Sequence, residues 1–103
     1  MGAWRLNSPR LRIAYDVANA EFIGENQPAA LRRIRHVLGQ VHLSDGTRTS
    51  WRHDPVGTGT VDFAAVMKTL DEIDFAGVTL LEIIAADAAT QIPASMQALR
   101  GGT

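Results

Sequence analysis

The 103 residues contain no cysteine, which removes disulfides, thiolate metal sites and cysteine nucleophiles together and fits a reducing compartment. Basic charge is not in excess either. Ten Lys and Arg stand against eleven Asp and Glu, a formal net charge of -1, so no cationic surface is available to neutralise phosphates, and neither nucleic acid nor an anionic membrane is expected as a partner. The densest basic stretch, LRRIRHV (31–37), alternates with apolar residues at helical spacing and reads as a solvated helix face. No apolar run approaches the roughly 20 residues of a membrane span. The segment MGAWRLNSPR lacks the apolar centre of a secretory signal, and the expectation is a soluble, cytoplasmic chain. The hydrophobic content of 46% suffices for one small domain, 1–103, with a modest core.

Within that domain the chain alternates between two kinds of segment. After a turn-like NSPR (7–10), LRIAYDV (11–17) mixes branched and aromatic residues as a strand does. ENQPAALRRIRHVLG (25–39) reads as a helix, with Pro28 in its first turn, an apolar face of Ala30, Leu31, Ile34, Val37 and Leu38, and Gly39 as its stop. QVHLS (40–44) is a second strand. Residues 45–60, DGTRTSWRHDPVGTGT, form a polar loop longer than a plain connector requires. Asp62 caps a helix over FAAVMKTLDEIDF (63–75), whose Phe63, Val66, Met67, Leu70 and Ile73 share one stripe, and Gly77 ends that element. VTLLEII (78–84) is apolar enough for a strand covered on both faces of a parallel sheet. A weaker helix runs from about Thr90 to Arg100. The fold class is therefore α/β, three strand-helix units with parallel strands and right-handed crossovers.

In such a sheet the carboxyl ends of all strands lie on one edge, which brings Asp16, His42 and Glu82 together. Two carboxylates and an imidazole there suit a divalent ion, and their oxygen-rich character favours Mn²⁺, Mg²⁺ or Co²⁺ over zinc. Each has a plainer reading. Asp16 can cap a backbone turn, and His42 can be a hydrogen-bonded core residue. A carboxylate at position 82, between TLL and II, is expected to be buried, which is costly unless it is paired or bound to metal. DPVGTG (54–59) is either a turn or a loop offering backbone N–H groups, that of Gly57 among them, to a substrate oxygen or phosphate. Arg52 and His53 add polar reach beside it. Asp45 either orients His42 or opens a turn.

AYDVAN (14–19), VHLSDG (41–46), RHDPVGTGTVDF (52–63) and GVTLLEII (77–84), in that order, resemble the C-terminal part of the sugar phosphate isomerase/epimerase family, the xylose isomerase-like TIM barrels. The resemblance implies a partial (β/α)8 barrel. In the full barrel, Glu, Asp, His and Glu from the last four strands hold a divalent metal. Carried over singly, Asp16, His42 and Glu82 match the last three ligands. Glu82 is also implied as a catalytic residue that moves a proton next to a sugar carbonyl, the metal stabilising the enediolate. Asn19 stands where members often carry a histidine. With Arg52, His53 and Gly57 from the loop it makes up the expected substrate-binding set, for a small sugar or sugar phosphate. The fifth-strand glutamate has no counterpart in MGAWRLNSPR, and a full barrel takes about 250 residues. The expected partner is therefore a missing N-terminal barrel portion or further copies of the chain, with a non-catalytic, self-associating fragment as the alternative reading. An endonuclease IV-like nuclease shares the RH and spaced glycines, but has His and Asp where this chain has Asn19 and Trp51.

Overall fold

A computed structural model describes residues 12–84 and 87–101, so the turn expected at 7–10 and the start of the first strand at Leu11 lie outside the described residues. Three strands, β1 (Ile13–Asp16), β2 (Leu38–Leu43) and β3 (Val78–Leu81), form one sheet in the order β1-β2-β3, and both pairings are parallel. Between them run α1 (Val17–Phe22), α2 (Gln27–Ile34) and α3 (Phe63–Glu72), and α4 (Ala88–Gly101) follows. This is the α/β architecture of part of a TIM barrel.

The helices cover one face of the sheet. Tyr15, Val41 and Leu43 point towards them and are buried against Val17, Leu31, Phe63, Val66 and Leu70. Period-2 alternation sends Ala14, Asp16, Gln40, His42, Val78 and Leu80 to the opposite face. No helix lies on that face among the described residues. Val78 and Leu80 are accordingly 52% and 41% exposed, and β3 is not covered on both sides as its sequence led us to expect.

Two glycines expected as helix stops do other work. The first long helix ends at Ile34, and Gly39 lies inside β2, where a Cβ would stand 2.6 Å from the Cβ of Arg12. Likewise α3 ends at Glu72. Asp74, at φ 55, turns the chain after it, and a Cβ on Gly77 would collide with the carbonyl oxygen of Gly39. Both glycines let neighbouring strands begin close together. The basic face of α2 is solvated, Arg32 meeting Glu72 at 3.0 Å across the helix pair.

Candidate functional site

The open face carries its polar residues at one end. Asp16 is the last residue of β1 and pairs in register with His42, while Glu82 follows β3 directly and is tied in by its N–H donating to the Leu43 carbonyl at 3.1 Å. His42 Nδ1 stands 3.1 Å from Glu82 Oε2, and its Nε2 is 3.2 Å from Gln40 Oε1 two residues back on the same face. Glu82 is 48% exposed rather than buried, because nothing among the described residues roofs this end of the sheet.

Asp16 uses its two oxygens differently. Its Oδ1 caps α1, accepting from the Asn19 N–H at 3.0 Å. Its Oδ2 looks the other way, 3.9 Å from His53 Nδ1. His53, placed by its sequence in a substrate loop, is in fact 8% exposed and sits at the site itself. Asp16, His53 and Glu82 each offer one ligand atom, and these atoms lie within 4.8 Å of one another.

The loop reaches this position through Asp45. The backbones of Asp45 and Asp54 bond to each other twice, at 2.7 and 2.9 Å. The Asp45 side chain, fully buried, accepts from the N–H groups of Gly46, Val61 and Gly57 at 2.9, 3.1 and 2.8 Å. Its two oxygens thus fold the loop. The Gly57 N–H, which the sequence offered to a substrate oxygen, is donated to Asp45, and Gly57 itself adopts φ 95. Gly59 is needed for close approach, since a Cβ there would fall 2.5 Å from Asp45 Oδ1. The Ile84 N–H then donates to the His53 carbonyl at 2.8 Å, locking the loop to the strand end that carries Glu82.

Trp51 and Arg52 stand outermost. The Trp51 indole N–H donates to Asn19 Oδ1, and its ring meets His53 edge-on, centroids 5.0 Å apart, while 59% of Trp51 remains exposed. Arg52 pairs with Asp54 at 3.1 Å. Sequence reasoning missed the place of His53 and of Ser44, whose Oγ lies 3.0 Å from His53 Nδ1. Ser44 follows β2 directly, and that position was the one available signal.

The sequence profile of the xylose isomerase-like TIM barrel matches residues 4–101. A protein of Escherichia coli (strain K12), named provisionally as L-ribulose-5-phosphate 3-epimerase SgbU, is 31% identical over 84 residues, 76% of this chain and 29% of that protein. The crystal structure of the E. coli 3-keto-D-glucoside 4-epimerase YcjR superposes with a TM-score of 0.72 at 32% identity, over 87% of this chain and 33% of that one. A xylose isomerase domain protein from Planctomyces limnophilus gives 0.74 at 29% identity, over 94% and 39%. The D-allulose 3-epimerase of a Methylomonas species gives 0.80 at 17% identity, over 95% and 39%, which shows the common fold. The chain thus spans between 29% and 39% of the length of these relatives.

Proposed function

The chain belongs to the xylose isomerase-like TIM barrel family, and from that premise we propose that it forms the C-terminal portion of a metal-dependent isomerase or epimerase acting on a small sugar or sugar phosphate. The observation that supports this reading is the gathering of Asp16, His53 and Glu82, whose ligand atoms lie within 4.8 Å of one another, with His42 paired to Glu82 at 3.1 Å, at the carboxyl-end edge of the sheet on the face free of helices among the described residues. The donor set suits a hard divalent cation such as Mn²⁺, Mg²⁺ or Co²⁺, because both carboxylates keep an oxygen directed at the site and the imidazoles bring nitrogen donors. Such an ion supplies positive charge against the negative charge that develops on the sugar oxygens.

Glu82 is the proton-transfer group of this proposal. It lies on the open face, exposed enough to reach a substrate carbon next to a carbonyl, and removing that proton gives an enediolate. His42 at 3.1 Å orients its carboxylate. Substrate contacts are assigned to Asn19 on α1 and to Arg52 and His53 on the bordering loop, with the exposed Trp51 ring as a wall, whereas the Gly57 N–H is taken by Asp45. The remaining strands would come from an N-terminal barrel portion, since the three strands of the described residues cannot close a barrel.

The test combines the 103-residue chain with the N-terminal two-thirds of the YcjR epimerase supplied in trans, adds Mn²⁺, and follows solvent deuterium entering a panel of ketoses and keto-glycosides. Mn²⁺-dependent incorporation that Glu82→Gln abolishes is the expected result. Incorporation that survives Glu82→Gln would overturn the assignment of Glu82, and incorporation unaffected by chelation would overturn the metal reading.

A further inference from the structure

We infer that the site takes an uncharged sugar or glycoside and not a sugar phosphate, because two carboxylates of the loop after β2 already hold the groups that a phosphate needs. The inference rests on the sugar-enzyme reading above and narrows it to one substrate class. In TIM barrels a substrate phosphate is frequently held by the loops after the seventh and eighth strands, through backbone N–H groups and positive charge. As the last two strands of the chain, β2 and β3 take those places in the barrel proposed above. The N–H groups of the glycine-rich turn are nevertheless engaged inside the protein. Gly57 and Val61 donate to the Asp45 carboxylate at 2.8 and 3.1 Å, Val56 to Ser95 Oγ at 2.9 Å, and Thr58 and Thr60 to the carbonyls of Pro55 and Gly46 at 3.2 and 2.8 Å. Asp45, 1% exposed, thus fills the hollow of the turn with a negative charge of its own.

The cation beside this turn is engaged in the same way. Arg52 Nε donates to both carboxylate oxygens of Asp54, at 3.2 and 3.1 Å, which balances its charge and leaves the rest of the guanidinium fork for hydroxyl oxygens. Arg48, the second arginine of the loop, lines a cleft with Glu21, Asn26, Thr60 and Asp62, and none of Asp16, His42, His53 or Glu82 borders that cleft. A phosphate dianion at the strand ends would meet Asp16, Asp54 and Glu82 as like charges, and the divalent ion proposed there is already matched by Asp16 and Glu82. What the rim offers suits a neutral ring instead. Trp51 keeps 59% of its surface exposed while its N–H is held by Asn19 Oδ1 and its ring by the edge-on contact with His53, a fixed apolar wall for the C–H face of a sugar. The same bond fixes the Asn19 amide, whose own N–H groups are left for hydroxyl oxygens.

The experiment is ligand-observed saturation-transfer NMR on the full chain with Mg²⁺, at about pH 7.5, where a phosphate monoester is mostly a dianion. The probes are a ketohexose, its 6-phosphate and inorganic phosphate. The neutral sugar should bind saturably and about tenfold or more tighter than the ester, and inorganic phosphate should not displace it. Trp51→Leu should weaken the sugar at least tenfold. Asp54→Asn, which frees Arg52 and keeps the backbone bonds of residue 54, should narrow the gap between sugar and ester at least threefold. An ester that binds as tightly as the sugar, a sugar displaced by inorganic phosphate, or no saturable sugar binding would each overturn the inference. Because the readout is binding, a chain that selects the neutral sugar yet exchanges no deuterium with the barrel portion in trans upholds the inference and overturns the epimerase reading. Should either variant fail to fold, the ratio of sugar to ester affinity in the unaltered chain decides alone.

Discussion

Asp45 and Tyr15 show what single residues contribute and how differently the sequence reveals it. Asp45 folds the long loop by accepting from three backbone N–H groups inside the protein. An asparagine keeps one accepting oxygen but points its own N–H groups at a backbone donor, so Asp45→Asn should cost about 1–3 kcal/mol. Urea unfolding reads this directly, and an unchanged midpoint would mean that the loop folds without its carboxylate. Tyr15 donates to Glu25 Oε1 at 2.7 Å. Burial first, then that hydrogen bond and the charge of Glu25, raise its phenol above the ordinary value near 10. The unfolded chain therefore ionises Tyr15 before the folded chain does, so stability should be intact below about pH 10 and fall as pH rises beyond it. Tyr15 is the sole tyrosine, so phenolate absorbance titrates it alone, and Tyr15→Phe should flatten the alkaline fall. Asp16, His42 and Glu82 could be placed at the carboxyl-end edge of the sheet because each stands in or at the end of an apolar run. The work of Asp45 and the place of His53 could not, because both depend on a loop closing back on itself, which leaves no periodicity in the sequence.

Elements were legible where apolar spacing is regular and illegible where a residue type has two uses. The stripe Phe63, Val66 and Leu70 is buried as its spacing implied, and the Asp62 side chain caps α3 through the Ala65 N–H at 3.0 Å. Gly39 and Gly77 misled because glycine serves close strand approach as well as helix termination, and only the packing distinguishes the two. The short helix α1 begins directly after β1, with Asp16 as both strand end and cap. That double use can be separated experimentally. Asparagine caps a helix about as well as aspartate, so Asp16→Asn should leave stability within about 0.5 kcal/mol while removing the charge of Oδ2. Mn²⁺ affinity should fall at least tenfold in the same variant. A melt that drops together with the affinity would mean that the carboxylate acts through α1 rather than on the ion.

At the scale of the whole molecule the sheet has one face covered by helices and one left bare among the described residues. The Cα radius of gyration is 14.2 Å, against about 13 Å for a closed domain of 100 residues, as fits a sheet packed on one side only. The bare face places Val78 and Leu80 beside the polar end of the site, and the backbone of β3 has no further strand beyond it among the described residues. Apolar side chains on an open face next to an unpaired parallel strand favour association, because covering them removes apolar surface from water and pairing the strand satisfies its backbone groups. Two occupants fit: the N-terminal portion of a related barrel, or a second copy of the chain. Alone in solution, the chain should therefore associate, its sedimentation coefficient rising with concentration in the micromolar range. Leu80→Lys, which puts a charge on the bare face without touching the helix-packed core, should shift that equilibrium towards monomer and also weaken capture of the YcjR N-terminal portion. A wild-type chain that remains a folded monomer throughout would show that the open sheet tolerates water unaided. If Leu80→Lys disperses the self-associated species yet leaves capture of the barrel portion intact, the two partners use different surfaces, and barrel completion must run through the β1 edge instead.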